Sequence, residues 1–459
     1  MTENESTFKA KSTIRSADID HRQKINFNIA KYNAAVPQGK LQFTDNNLVK
    51  ERAKNIKWRA LETLDQHLEE FEMHFTARGG KVIWAQNSQE ALDEILKICR
   101  AKNCKSIVKS KSMVTEEIHL NRFLEENGIE SVETDLGEYI QQLDGEPPYH
   151  IVTPAIHKNK KDIARVFADK LGTSANLSPE ELTMVAREKL RYKYVQAEIG
   201  ITGANFIISD IGGIAVTENE GNARLCTAWP KTHIAIVGIE KMIPSITDLA
   251  LLWPLLATYG TGQKVTVYSS IITGPKQPGE TDGPEDMYVI LLDNNRTNIL
   301  ANPVQRESLY CIRCGACLNA CPVYKNIGGH SYGTTYTGPI GSVISPNLNG
   351  LEEYKHLSYA SSLCGACTEV CPVKINIHGL LLVNRNESIK QDITTFSEKM
   401  AWKVWRTASL KRSWMNKGND RTKNKLINTF FKDWNRHHSP LMFSKKTFNE
   451  MWKERERLK

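Results

Sequence analysis

The sequence predicts an α/β domain built on a largely parallel sheet, followed by a small helical segment organised around cysteines and then a basic helical tail. Three observations carry this reading. Short apolar runs alternate with helical patterns over residues 82–292. Seven of the ten cysteines fall between Cys311 and Cys371. From Ser388 onward, 18 Lys/Arg face 7 Asp/Glu, which leaves the rest of the chain slightly acidic. With 459 residues, 40% of them hydrophobic, the chain has enough apolar side chain for more than one core and is not a disordered polymer.

Residues 1–45 read as a polar, loosely ordered arm. The opening MTENESTFKAKSTIRSADID lacks the apolar stretch of a secretory signal, so a cytoplasmic protein is expected. The α/β domain is placed at 46–302. Its leading helix is read over 46–75, where Ala53, Ile56, Ala60, Leu64, Leu68, Phe71 and Phe75 step by three or four along one face, and Gly79-Gly80 ends it. Strands are expected at 82–84, 106–109, 150–153, 206–209, 213–217, 233–237, 265–269 and 288–292, with helices at 89–101, 116–126, 160–171 and 179–196. The most apolar run, 249–257, is interrupted by Pro254 and falls well short of the ~20 residues a spanning helix requires, so no membrane span is expected.

The cysteine segment is placed at 303–387. Its first run is Cys311-Ile-Arg-Cys314-Gly-Ala-Cys317-Leu-Asn-Ala-Cys321-Pro322, the C-x2-C-x2-C-x3-C-P spacing of bacterial ferredoxins. Three thiolates at steps of three wrap the chain around one face of an iron–sulfur cube. Gly315 lets the backbone come close, and Pro322 turns the chain after the fourth cysteine. A related run, Ser361-Ser-Leu-Cys364-Gly-Ala-Cys367-Thr-Glu-Val-Cys371-Pro372, repeats CGAC and the trailing C-P, with Ser361 where the first cysteine would stand. In two-cluster ferredoxins the fourth cysteine of each run serves the other cluster. Crossed ligation therefore predicts two [4Fe-4S] clusters, one on Cys311, Cys314, Cys317 and Cys371, the other on Cys321, Cys364 and Cys367. The fourth ligand of the second cluster is open between Ser361, a water, a three-iron form and Cys226. Zinc is the competing metal, but it favours paired C-x2-C knuckles closing one tetrahedron. The 42 residues between Cys321 and Cys364, with Gly328-Gly329-His330, exceed a minimal ferredoxin and fit the helical type of multisubunit dehydrogenases; His330 is read as a loop residue.

The stretches Ile208-Ser-Asp-Ile-Gly-Gly-Ile-Ala-Val-Thr-Glu-Asn-Glu-Gly-Asn-Ala-Arg224, Thr232-His-Ile-Ala-Ile-Val-Gly-Ile-Glu-Lys241, Val108-Lys-Ser-Lys-Ser-Met-Val-Thr-Glu-Glu117 and Glu133-Thr-Asp-Leu-Gly-Glu138 resemble the LUD domain. A LUD domain followed by this pair of cysteine runs and a basic tail resembles the lactate utilisation protein B family, which shares the incomplete second run. The resemblance implies a fold like the NagB/RpiA/CoA-transferase group, and an electron-carrying role in oxidising L-lactate to pyruvate beside two partner proteins. From the residues alone, Asp210, Glu218, Glu220 and Arg224 follow predicted strands and form a candidate pocket. Lys109 and Lys111 flank a Ser-rich turn suited to a carboxylate. Gly212-Gly213 is not a G-x-G-x-x-G, so nothing points to a nicotinamide. Two other functions stand beside electron transfer: an acyl- or CoA-handling LUD enzyme using Glu218 or Glu220, and a redox-sensing regulator.

The tail, 388–459, has no cysteine and five of the nine tryptophans: Trp402, Trp405, Trp414, Trp434 and Trp452. Trp402 and Trp405, with Met400 and Val404, suggest an amphipathic helix whose tryptophans pack in a core, or else present a stripe to a partner. Its charge suits an acidic partner or lipid headgroups, and no nucleic-acid-binding motif accompanies it.

Overall fold

The computed structural model describes residues 2–415, 417–430, 432–435 and 439–457. The chain forms two compact units, Met1–Gln391 and Asp392–Lys459. The helix Ile377–Lys390 runs straight through position 388, so the tail unit starts slightly later than its charge suggests.

Ten strands occur in the first unit: β1 Lys81–Ala85, β2 Ser106–Lys109, β3 Glu130–Glu133, β4 Ile199–Thr202, β5 Phe206–Ile208, β6 Gly213–Glu218, β7 Thr232–Gly238, β8 Met242–Ile243, β9 Tyr268–Ile272 and β10 Asp286–Leu292. Six form an all-parallel sheet in the order β1-β10-β7-β4-β2-β3, with Tyr288 opposite both Lys81 and Ile234 in register. The others form a smaller mixed sheet, β8-β5-β6-β9. Parallel sheets need both faces covered. One face of β7 and β10 buries Ile234, Ile236, Ile290 and Leu292 with the helix Ser88–Ala101, and the other buries Ala235, Val237, Val289 and Leu291.

The helices Lys160–Leu171 and Pro179–Gln196 fall where the sequence puts them, each opened by a capping box. The leading helix is instead two, Asn46–Glu62 and Leu64–Ala77, broken at Thr63. The 116–126 pattern is likewise split, into Met113–Glu117 and Leu120–Glu126, with His119 left-handed between them. Residues 150–153 are not a strand. The His150 Nδ1 accepts from the backbone N–H groups of Val152 and Thr153 (3.1 and 3.2 Å), curling the chain locally in place of a ladder. The strand expected at 265–269 is displaced to β9.

Strands β3 and β4 escape sequence reading for physical reasons. β3 is half glutamate, and Glu133 is buried because Lys109 meets it at 2.7 Å. β4 contains Gly200, where a Cβ would sit 1.7 Å from the carbonyl oxygen of Cys226. That glycine lets the helix Asn222–Ala228 lie directly on the sheet. Gly200→Ala is expected to cost about 3 kcal/mol or more, since backbone cannot yield as a flexible side chain does. A fall in the denaturant midpoint of the purified protein checks this.

The N-terminal residues are ordered helices, not a loose arm: Glu3–Ala17 and Ile19–Lys40. Their polar composition conceals a sparse contact stripe. Ile25 and Ile29 are buried in the main core, and Phe8 meets Tyr332 edge-on and His356 at a tilt in the cysteine segment. That core is continuous from the α/β domain into the cysteine segment, from Ile207 and Leu255 to Leu318 and Ile344.

In the second unit, Phe396–Leu410 is a helix, as expected, but its tryptophans do not make a core: Trp402 and Trp405 are 59% and 62% exposed. The Trp434 side chain lies outside the described residues. Among the described residues, no helix is long and apolar enough to cross a membrane.

Candidate metal centre

The two cysteine runs fold alike. In the first, Arg313 (φ 62°) and Gly315 (φ 78°) hold Cys314 between two left-handed residues, and the helix Ala316–Ala320 follows. In the second, Leu363 (φ 54°) and Gly365 (φ 82°) flank Cys364 before Ala366–Val370. A non-glycine residue held left-handed is costly, and such positions cluster at functional sites. Backbone N–H groups are directed at three of the sulfurs. Arg313 N–H donates to the Cys311 Sγ, Tyr324 N–H to the Cys321 Sγ and Ile375 N–H to the Cys371 Sγ, each at 3.4 Å. Gly315 also answers a close approach, for a Cβ there would lie 3.0 Å from Val152 and 3.1 Å from His150.

The helices Ala316–Ala320 and Ala366–Val370 pack against each other, and this crosses the runs. Burial raises the thiols of Cys314, Cys317 and Cys371, the last to about 12, and close thiol neighbours raise them further. Those neighbours are Cys371 and Cys311 for Cys314, Cys311, Cys314 and Cys371 for Cys317, and Cys311 for Cys371. Cys321 is raised by burial and by Cys364; Cys367 rises to about 11 through burial, Cys321 and Cys364. Cys371 thus sits with the first run, and Cys321 with the second. Of the first group only Cys311 is even partly exposed, whereas Cys364 in the second group is open to solvent.

This donor set fits iron–sulfur clusters. Among the described residues, the only three metal-ligating side chains with donor atoms all within 4.8 Å of one another include no cysteine. The seven cysteines, gathered as four and three, exceed the four ligands of one tetrahedral zinc site. Sulfur-directed N–H groups are the expected partners of a cluster. Ser361 Oγ accepts from Leu363 N–H (3.1 Å), in the loop that carries Cys364. Cys226 is elsewhere: it is buried in the α/β core against Val108 and Val132, with Thr134 Oγ1 at 3.4 Å, and is not brought to the second group.

Cations surround the first group. Arg313 lies 4.4 Å over the Tyr336 ring and reaches Glu240 at 3.4 Å. Lys57, fully buried, donates to the carbonyls of Glu240 and Met242 (2.6 and 3.0 Å), and Lys241 is buried beside them. Sequence reasoning missed this charged wall because Lys57, Glu240 and Lys241 come from the α/β domain, and only Arg313 belongs to the cysteine run. Glu240 and Lys241 follow the apolar strand β7 in the turn Ile239–Lys241.

Of the candidate pocket in the α/β domain, Glu218, Glu220, Arg224 and Lys111 come close enough to influence one another's charge, whereas Asp210 lies beside Asp248. Glu218 accepts from the N–H groups of Ala223 and Arg224, Glu220 from Leu136 N–H, and Asp210 from Ile246 N–H. Arg224 lies over the Tyr268 ring at 5.4 Å. Lys109 is enclosed by Glu133 and Glu116, and Lys111 donates to the Val152 carbonyl (2.8 Å) beside Asp135. The three carboxylates cap the starts of helices, and the two lysines pair with Glu116, Glu133 and Asp135.

The LUD domain model matches residues 68–292, and the 4Fe-4S dicluster domain model matches residues 307–375. The chain is 50% identical over 355 residues to lactate utilization protein B of Bacillus licheniformis, covering 77% of this chain and 74% of that one. It is 48% identical over 355 residues to the Bacillus subtilis protein of the same name, with the same coverage. Over 360 residues it is 45% identical to the uncharacterized electron transport protein YkgF of Escherichia coli, covering 78% of this chain and 76% of that one. A crystal structure of a DUF162 family protein from Deinococcus radiodurans aligns with 50% of this chain and 98% of its own, at 13% identity and a TM-score of 0.29. Identity near one residue in two, across three quarters of both chains, goes far beyond a shared fold, and the chain belongs to the lactate utilization protein B family.

Proposed function

We propose that this chain is the iron–sulfur electron carrier of a cytoplasmic system that oxidises L-lactate to pyruvate. Cys311, Cys314, Cys317 and Cys371 hold one [4Fe-4S] cluster, and Cys321, Cys364 and Cys367 hold three corners of a second. The observation that carries this is the crossed gathering of the seven cysteines, supported by the relatives' names. When bound, such clusters supply one-electron steps at potentials tuned by hydrogen bonds, charge and exposure. The chain's own residues do the tuning. Backbone N–H groups and Arg313 stabilise added negative charge at the buried first site, and the exposed Cys364 side gives the second site a route to a partner. Two partner proteins complete the system. The α/β domain serves as the scaffold that walls the first site, on a sheet we relate to the NagB/RpiA/CoA-transferase group. An acyl-transferring role is disfavoured because Glu218 and Glu220 are engaged as caps.

Iron and acid-labile sulfide on anaerobically purified protein test the cofactor content. About 8 of each per chain is expected; a value near zero, or zinc in place of iron, would refute it. Ser361→Cys supplies the missing thiolate in register. It is expected to leave the iron count unchanged and to shift the electron paramagnetic resonance spectrum of the second cluster alone.

A further inference from the structure

A second polar cluster joins the α/β domain to the cysteine segment, and electron transfer makes no use of it. Glu146 follows the helix Leu136–Asp144, His157 precedes the helix Lys160–Leu171, and His330 opens the turn His330–Tyr332 after the first cysteine run. One donor atom from each lies within 4.8 Å of the other two. We propose that Glu146, His157 and His330 form a mononuclear site for a divalent transition-metal cation of the zinc class, distinct from the iron–sulfur cysteines.

The chemistry of each group suits that task. His330 Nε2 lies 2.8 Å from the Pro147 carbonyl, which can only accept, so Nε2 carries the proton and Nδ1 keeps a lone pair. Anchoring a ligating imidazole through its other nitrogen to a backbone carbonyl is the usual device for fixing its tautomer. His157 meets Glu146 through Nε2 at 3.1 Å, while its Nδ1 is buried without a hydrogen-bond partner on a side chain only 8% exposed. A buried ring nitrogen with no partner costs roughly 1–3 kcal/mol unless something fills the position. The rings are also fixed. Tyr149 stacks on His157 at 4.2 Å and meets His330 edge-on at 4.7 Å, and its hydroxyl is tied to His21 at 2.8 Å. Burial keeps both imidazoles neutral, His330 falling to about 4, and the hydrogen bond from His157 with the charge of Lys158 holds Glu146 ionised at about 2. Two neutral imidazoles and one carboxylate form the set that binds zinc or iron(II) with positions left open, and the absence of a thiolate separates it from the cluster sites.

Lys158 is the competing cation. Its Nζ lies 2.8 Å from Glu146, but it also pairs with Asp144, so it has a place to remain when Glu146 turns to a metal. A cation there would clasp the 145–158 loop of the α/β domain to the loop after Cys321.

The test is isothermal titration of anaerobic, chelator-treated holoprotein with Zn2+. Wild type is expected to show a saturable site that His157→Gln/His330→Gln weakens by at least about tenfold, while Lys158→Gln tightens it. Retained iron absorbance shows that each variant is folded. Equal affinity in wild type and the double variant, or no saturable binding in wild type, would overturn the site. Should the double variant lose its iron, Lys158→Gln decides: unchanged affinity counts against the proposal.

Discussion

Cys314→Ala and Cys371→Ala, though they lie in different runs, are each expected to abolish the same electron paramagnetic resonance signal and to remove about half the iron. Cys321→Ala, although it is a neighbour of Cys317 in the sequence, should leave that signal and disturb the other. The argument is spatial. Cys371 lies with Cys311, Cys314 and Cys317, while Cys321 lies with Cys364 and Cys367. Removing one thiolate from the first group would leave a largely buried site short of a ligand, since Leu318, Ile312 and Ile340 are buried in the same core and Cys311 alone of the four is partly exposed. The second group, open at Cys364, has access to solvent and is expected to tolerate the loss of a ligand better, for instance as a three-iron form. Lactate-dependent electron flow through the reconstituted partners should fall to background in Cys314→Ala, with far-ultraviolet circular dichroism measured alongside to show that the α/β domain is still folded. If Cys314→Ala and Cys371→Ala abolish different signals, the crossed assignment is wrong.

How much of this was readable beforehand depends on where each interaction is encoded. The cysteine runs were fully legible because cluster ligation imposes fixed spacing on contiguous residues. The same motif is what predicts the crossing. The helices Lys160–Leu171 and Pro179–Gln196 were legible because their caps are local: Asn159 with Asp162, and Ser178 with Glu181. What failed depends on distant partners. Lys109 reads as a surface cation awaiting an anion until Glu133, on the neighbouring strand, is placed beside it. Glu218 reads as a nucleophile until the helix it caps is seen. The N-terminal helices look like a solvated arm because a few side chains, Phe8, Ile25 and Ile29, carry their docking. In the tail the error runs the other way: tryptophans suggest burial, yet the helix Phe396–Leu410 leaves them exposed.

The largest stability effect is expected at Arg296. Its guanidinium, 1% exposed, donates to both oxygens of Glu117 (2.9 and 2.8 Å) and to Glu240 at 2.6 Å. Gly238 makes the room, since a Cβ there would lie 2.4 Å from Arg296 Nε. The same carboxylates bind the cysteine segment: Tyr336 donates to Glu117 at 2.6 Å and Arg313 reaches Glu240 at 3.4 Å. Arg296→Met keeps the volume and removes the charge, leaving two buried carboxylates short of their main partner. A loss of roughly 3–5 kcal/mol follows. Its pH dependence identifies the cause. Burial raises both carboxyls, but the Arg296 charge more than offsets it, leaving Glu117 below its ordinary 4.5 and Glu240 at about 2. Depressed carboxyls contribute stability that is fully present above the unfolded value and is lost as pH falls through the folded one. Wild type should therefore weaken between about pH 4.5 and pH 2. In Arg296→Met, burial acts with its chief opponent removed and raises the two carboxyls, so protonation relieves the variant. The gap between the two proteins should be widest near neutrality and should narrow below about pH 5 in denaturation midpoints. A gap independent of pH would mean that Arg296 acts through packing alone. Because Arg313 shares Glu240, the variant should also lower the reduction potential of the first cluster. That links the stability of the α/β domain to the redox property of the segment it walls.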